Sequence, residues 1–386
     1  MTGAKEASAV VVPPTGAAPG TSGVPGTSAA PMTGEQRFLA ACRLRPVDAT
    51  PVWYMRQAGR GIPEYERMRD RYGVLGIART PELAARASIL PIAAYGVDAA
   101  VMYADVMLPT GPMGIDFDLT PEGPVLAAPV RSADDVRRLR VYDPDEELGF
   151  AMEAIRLARH ELEGRQALIG IAGGPFTLAA YLVEGRASRD QSTARAFMYA
   201  QPEAWHELLG RIAEVGRRYL AAQVRAGAQA VQVFDTWAGS LGPDDYEAYV
   251  LPHAARLLEG AAGVPAIHYV SGAGQLLDML VRAGAGTVGI DSRLSLRDAW
   301  ARLGPYVGIQ GNLDGARVLG GWRSTEAGAR RILDEAAGRP GHIFNLGHGI
   351  VPGTDPALLS RLAGFVHDES ARRRRDAVPT TQEVPA

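Results

Sequence analysis

Pro51-Val-Trp-Tyr-Met-Arg-Gln-Ala-Gly-Arg60 joins two kinds of chain in one short segment. Up to Met55 it is apolar and reads as a short strand. It then turns polar, with Arg56, Gln57 and Arg60 gathered around the small Ala58-Gly59 step. Arginine grips carboxylates and phosphates bidentately and stays charged when desolvated, and a glycine lets backbone N–H groups approach a ligand. A solvated strand end with surface arginines has the same spacing. Taken locally, the segment leaves both readings open.

An apolar run that breaks into polar residues recurs along the chain. Strands are expected at Val52–Met55, Ala99–Tyr103, Ala167–Ile171, Ala230–Phe234, Ala266–Val270, Thr287–Ile290, Tyr306–Ile309 and His342–Asn345. Most are continuously apolar rather than alternating, as parallel strands buried on both faces are. Helical patterns lie between them, at Glu82–Tyr95, Leu148–Glu163, Pro202–Ala226, Gly274–Ala283 and Thr325–Ala337. In Pro202–Ala226, Trp205, Leu208, Leu209, Ile212, Val215 and Tyr219 recur at three-to-four-residue spacing. Pro81, Pro202 and Pro356 stand where helices would begin.

This alternation predicts an α/β protein, a single (β/α)8 TIM barrel with flexible N- and C-terminal tails. A doubly wound open sheet is the competing architecture. It would normally carry a glycine-rich fingerprint after its first strand, and none is present there. Gly272-Ala-Gly274 follows a later strand but lacks the third glycine.

The barrel is expected over residues 35–370. Residues 1–34, rich in Ala, Gly, Pro, Ser and Thr, read as a disordered tail, and 371–386 as a basic then polar flexible tail. The Arg372–Arg375 run reads as a solvated helix end rather than a nucleic-acid contact.

Composition removes several chemistries. Net charge is −3 over 386 residues, so no overall field attracts nucleic acid or a membrane surface. No run approaches the roughly 18 consecutive apolar residues of a membrane span. Cys42 is the only cysteine, which excludes intrachain disulfides and a Cys-rich metal site and fits a cytoplasmic setting. Lys5 is the only lysine and lies in the expected tail, so Schiff-base catalysis from a core lysine and a Walker loop are both excluded.

Barrel enzymes build their sites at the C-terminal ends of the strands. Read off those ends, the chain offers Arg56 to Arg60, Asp105, Gly173-Gly-Pro-Phe176 with Tyr181, Asp235-Thr236, Ser271, Asp291 with Arg293, Gln310 with Asn312, and His348. Several arginines and one histidine are thus paired with isolated aspartates.

Pro51–Arg60 resembles the signature of the uroporphyrinogen decarboxylase family. Further stretches resemble the same family in the same order: Tyr103-Ala-Asp-Val106, Gly173-Gly-Pro-Phe-Thr-Leu-Ala-Ala-Tyr181 with Val183-Glu-Gly185, Phe234-Asp-Thr-Trp-Ala-Gly239, Gln310-Gly-Asn-Leu-Asp314, and Asn345-Leu-Gly-His-Gly349 with Pro352-Gly-Thr354. Gly61, Ser292 and Gly315 depart from the pattern and bear on loop rigidity.

The resemblance implies decarboxylation of the four acetate side chains of uroporphyrinogen III to methyl groups, giving coproporphyrinogen III in haem biosynthesis. It implies no cofactor, no metal and a homodimer. Asp105 would accept hydrogen bonds from the pyrrole N–H groups and balance a ring cation. Arg56 and Arg60 would bind substrate carboxylates, with Arg56 near the reacting acetate. Gln57 would orient a carboxylate or a neighbouring Arg, and Ala58 and Gly59 would offer backbone. Tyr181 would position Asp105 or a carboxylate, Thr236 would donate a hydroxyl, and His348 would hold a carboxylate or assist proton transfer. Each also has an ordinary structural alternative, such as a turn for Asp105, a core role for Tyr181 or a cap for Thr236.

Two rivals remain. Corrinoid-dependent methyltransferases share this barrel, and they resemble zinc enzymes that bind the metal through one His and two Cys. A single cysteine cannot build that set. An inactive barrel that only binds tetrapyrrole or a partner is argued against by Asp105, Arg56 and Tyr181 together.

Overall fold

The computed structural model describes residues 30–59, 61–120 and 122–377. Nearly all of the expected tail at 1–34 lies outside them, as does 378–386. Among the described residues the strands are β1 (Ala99–Val101), β2 (Phe117–Thr120), β3 (Gly123–Leu126), β4 (Ala167–Gly173), β5 (Ala230–Phe234), β6 (Ala266–Tyr269), β7 (Thr287–Gly289), β8 (Gly308–Gln310) and β9 (His342–Ile343). β2 and β3 form an antiparallel pair of their own. The other seven form one parallel sheet in the order β1-β4-β5-β6-β7-β8-β9. Each pair is joined through at least one helix, so neighbours in sequence are neighbours in the sheet.

The strands of the parallel sheet are short and buried on both faces; β4 is buried throughout. Pro81, Pro202 and Pro356 are each the first residue of a helix, where a missing N–H costs nothing. Helix Pro202–Ala226 matches its expected bounds, and its apolar stripe from Trp205 to Tyr219 is buried.

The opening segment departs from expectation. Val52–Met55 is not a strand; Val52 makes a single parallel bridge to Phe344. On that side Phe344 N–H donates to Pro51 O at 2.8 Å, and on the other Asp98 N–H donates to Val52 O at 2.8 Å. Side chains then take over from the ladder. Asp98 Oδ2 accepts Val52 N–H at 2.7 Å, Gln57 Oε1 accepts Tyr54 N–H at 2.9 Å, and Asn345 Oδ1 accepts Met55 N–H at 3.0 Å. Side-chain acceptors, Gln57 from within the segment and Asp98 and Asn345 from distant ones, take the N–H groups that a sheet ladder would use. The parallel sheet therefore counts seven strands rather than eight.

Other differences are smaller. The seventh expected strand begins at Gly308, because Tyr306 sits in a turn and is 85% exposed. Gly274–Ala283 divides into a 3-10 turn at Ala273–Gln275 and a helix at Leu277–Arg282. The expected boundary at 370 falls inside a helix that runs from Pro356 to Ala377. The arginine run is fastened rather than loose: Arg372 and Arg373 pair with the buried Glu369, and Arg374 Nε donates to Val47 O at 2.9 Å.

Two further polar systems brace the sheet. Within the sheet, Trp53 Nε1 donates to Gln310 Oε1 at 2.8 Å and Gln310 Nε2 donates to Gln232 Oε1 at 2.9 Å. Just before β1, Asp98 pairs with Arg37 at 2.6 Å and with His367 Nε2 at 2.7 Å, while Arg37 also holds Asp48 at 2.7 Å. This network ties the helix Gly34–Cys42 and the C-terminal helix to the start of the sheet.

Candidate active site

Arg56 follows the Val52 bridge on a left-handed backbone, φ 59°, which turns its exposed side chain out of the core. It pairs with no carboxylate among the described residues. Gly349, in the turn after β9, makes room for it. A Cβ on Gly349 would lie 2.5 Å from Arg56 Cδ and 2.8 Å from Cγ. Gly59 adopts φ +103°, and a Cβ there would strike the Tyr65 ring at 2.7 Å. Tyr65 is in turn hydrogen-bonded to Tyr103 at 2.8 Å between the hydroxyls. Ala58 is half-buried. Arg60 lies outside the described residues.

Gln57 is fully buried. Besides accepting from Tyr54, it donates from Nε2 to Ala99 O at 2.8 Å. Its amide braces the turn that carries Arg56 against β1, a correction to the expectation that it faces substrate. Both ends of the amide are occupied by backbone.

Asp105 lies beyond the end of β1 and is half-buried. Oδ1 accepts Met107 N–H at 2.9 Å, so the carboxylate does serve a local turn. Its other oxygen accepts nothing from the described residues. Burial pushes the carboxyl above its usual range, partly offset by the Met107 N–H and by the nearby Arg56 charge. Tyr181, on the helix Pro175–Glu184, responds to the same two charges. Its phenol is pushed up to about 12, first by burial and then by Asp105, with Arg56 opposing. Arg56, Asp105 and Tyr181 therefore share one electrostatic neighbourhood.

His348 joins them from the turn after β9. Desolvation lowers its pKa, Arg56 and Arg293 lower it further, and Asp291 opposes. Its ring stands edge-on to Tyr269, centroids 6.2 Å apart. At neutral pH it is an uncharged imidazole with one N–H to give. Thr236 is half-buried just after β5 and next to Trp237.

Part of the expected strand-end set is engaged elsewhere. Asp291 accepts Arg293 Nε at 3.0 Å, Gly272 N–H at 2.5 Å and Ser271 Oγ at 3.2 Å. Burial alone would raise its carboxyl, but Arg293 and the backbone donors hold it below the usual range. Gln310 belongs to the buried chain described above. Asn312 is fully buried and donates to Asp291 O and Leu294 O. These residues shape the loops.

Three contributors were not assigned a role from the sequence. Asp235 is fully buried, and Oδ1 accepts Thr177 N–H at 2.7 Å at the start of the Tyr181 helix. Burial pushes its carboxyl up to about 6, against the pull of the Thr177 donors. Trp237 packs against Tyr181 with centroids 4.1 Å apart and ring planes tilted by 37°. Gly349 shapes the berth of Arg56. Only their place inside recognisable motifs could have pointed to them.

The family model described as uroporphyrinogen decarboxylase matches residues 33–369. A protein of that name from Roseiflexus sp. is 50% identical over 343 residues, 87% of this chain and 99% of the relative. One from Sorangium cellulosum is 48% identical over 334 residues, 86% and 95% of the two chains. Among solved structures, a methyltransferase from Methanosarcina mazei superposes with a TM-score of 0.70 at 20% identity, covering 87% of this chain and 98% of its own, a likeness of fold. The chain belongs to the uroporphyrinogen decarboxylase family.

Proposed function

We propose that this chain is a carboxy-lyase that removes CO2 from the four acetate side chains of uroporphyrinogen III and yields coproporphyrinogen III, in haem biosynthesis. The observation that carries the reading is Asp105: a half-buried carboxylate with one oxygen unpartnered among the described residues, close enough to feel the Arg56 charge and to act on the Tyr181 phenol.

The chemistry needs such a group. Direct loss of CO2 would leave a carbanion beside an electron-rich pyrrole. Protonating a ring carbon first makes an iminium-like ring. The C–CO2 electron pair then flows into that ring, CO2 departs, and a proton on the exocyclic carbon with loss of the ring proton completes the methyl group. The intermediate is a cation, and a preorganised anion in a partly desolvated site stabilises it best. Asp105 is that anion in this reading, its free oxygen facing the pyrrole N–H groups.

Arg56 binds a substrate carboxylate, supported by its lack of an ion-pair partner among the described residues. With a pKa above about 12 it is a charge clamp rather than an acid. Arg60 is assigned to a second carboxylate from its motif alone. Tyr181, protonated at neutral pH, donates a hydrogen bond. His348 and Thr236 complete the polar wall, with the Ala58-Gly59 backbone at its edge. No cofactor enters this scheme.

Three finer points accompany the reading. Pro51–Met55 serves as the eighth stave of a (β/α)8 barrel, supported by its bonds to Phe344 and Asp98. The chain forms a homodimer, which sedimentation tests. It works in the cytoplasm; no helix among the described residues is long and apolar enough to cross a membrane.

The test is an anaerobic incubation with uroporphyrinogen III, then oxidation and chromatography of the porphyrins. Hepta- to tetracarboxylate products are expected. Their complete absence refutes the activity.

A further inference from the structure

β5 and the helix Pro175–Glu184 are laced together where both reach the site. Gly174 N–H donates to Phe234 O at 2.8 Å. Asp235 Oδ1 takes Thr177 N–H at 2.7 Å, and Trp237 N–H donates to Thr177 Oγ1 at 3.1 Å. Tyr181 is one helical turn beyond Thr177, on the same helix face. Its ring lies on the Trp237 indole, centroids 4.1 Å apart and planes at 37°. The Tyr181 hydroxyl has no hydrogen-bond partner among the described residues. Nothing polar therefore fixes the phenol. The orientation of the ring rests on packing, and Trp237 is half-buried, with its backbone pinned to the first turn of that helix.

We propose that Trp237 is a positioning residue for the decarboxylation: its indole holds the Tyr181 ring in the attitude that presents the hydroxyl to Asp105 and the reacting acetate. This rests on the role given to Tyr181 above. Stacked aromatic pairs contribute modestly, equivalent to a factor of roughly two to ten, and a misaimed catalytic hydroxyl adds to that loss.

The test uses the full chain with uroporphyrinogen III under anaerobic conditions, with Trp237→Ala, Trp237→Phe, Tyr181→Ala and the Trp237→Ala/Tyr181→Ala double variant. Trp237→Ala is expected to lower kcat about tenfold with KM changed less than about twofold, and Trp237→Phe to recover kcat to within about threefold. In the Tyr181→Ala background, Trp237→Ala is expected to change kcat by less than about twofold, because the residue acts through Tyr181. Ring-13C tyrosine NMR supplies a readout that needs no turnover. The Tyr181 signal, assigned by its loss in Tyr181→Phe, is expected to carry an upfield shift from the indole that vanishes in Trp237→Ala and persists in Trp237→Phe.

Wild-type kcat in Trp237→Ala overturns the proposal, as does a double variant whose losses multiply. Full activity in Tyr181→Ala removes Tyr181 from the chemistry and the proposal with it, even where NMR shows the stacked rings. Absence of turnover in the unsubstituted chain refutes the activity itself, and an intact Tyr181 shift tells that result apart from a failed ring contact.

Discussion

Gly349→Ala tests the geometry of Arg56 with the smallest possible perturbation. The backbone at Gly349 is not left-handed, so alanine is conformationally acceptable there. The added methyl would lie 2.5, 2.8 and 3.1 Å from Arg56 Cδ, Cγ and Cβ. Carbon atoms pack best at about 3.5–4.0 Å, so the side chain must retreat by about 1 Å. The clash falls on methylenes near the backbone, and Arg56 already sits in a restricted left-handed conformation. Rotating the far end of the chain cannot relieve it. The guanidinium must swing away from its present place. A displacement of about 1 Å in a positioned group costs on the order of 100-fold in rate, about 2.7 kcal/mol. Overpacking costs the fold about 1–3 kcal/mol, which leaves a folded protein. We expect kcat/KM for uroporphyrinogen III to fall about 100-fold while circular dichroism is unchanged. Arg56→Ala should show a comparable loss, and adding Gly349→Ala to it should do almost nothing. Gly349→Ala within about twofold of wild type, or losses that multiply in the double variant, would refute the reasoning.

Further outcomes follow from the same structure. Asp105→Asn keeps the Met107 turn but removes the anion, and should lower kcat by about 100- to 1,000-fold in the anaerobic assay; turnover at the wild-type rate contradicts the anionic anchor. Because burial raises the Asp105 carboxyl, the ionised form is lost on acidification at a pH above the ordinary carboxylate range. The acid limb of kcat against pH should therefore lie above the ordinary carboxylate range, and should disappear in the residual activity of Asp105→Asn. Asp98→Ala, far from the chemistry, leaves the buried Val52 N–H without its acceptor and removes one of the two carboxylates that hold Arg37, and should cost about 1–3 kcal/mol in denaturant unfolding; a loss below about 1 kcal/mol speaks against the network. Asp235 has a folded-state carboxyl raised to about 6. Its neutral form is favoured in the folded chain, so its own contribution to stability is full below about pH 4 and is lost, by on the order of 3 kcal/mol, as pH rises to about 6. Asp235→Asn, which keeps an acceptor for Thr177, should flatten that decline in unfolding measured at pH 4, 5, 6 and 7; an unchanged slope rules out Asp235 as its source.

Short runs such as Ala230–Phe234 and the amphipathic stripe of Pro202–Ala226 made the strand-and-helix alternation legible, because burial on both faces and helical periodicity leave direct marks on residue choice. Proline at the first turn marked helix starts for the same reason. The motifs around Arg56, Asp105, Tyr181 and His348 carried the family, and single lysine and cysteine residues removed rival chemistries. The Pro51–Arg60 segment itself shows where that stops. Its apolar half looked like any other strand. Only the folded chain supplies Asp98, Gln57 and Asn345 as competing acceptors, which reduce it to one bridge and leave Arg56 turned outward. Gln57 looked like a ligand residue because polarity is visible in sequence and direction is not. Trp237, Asp235 and Gly349 act through contacts between segments from 56 to 293 residues apart, set by ring packing, a borrowed helix cap and the space left by a missing methyl. Such contacts depend on which strand ends the sheet brings together, and the tertiary structure alone decides that.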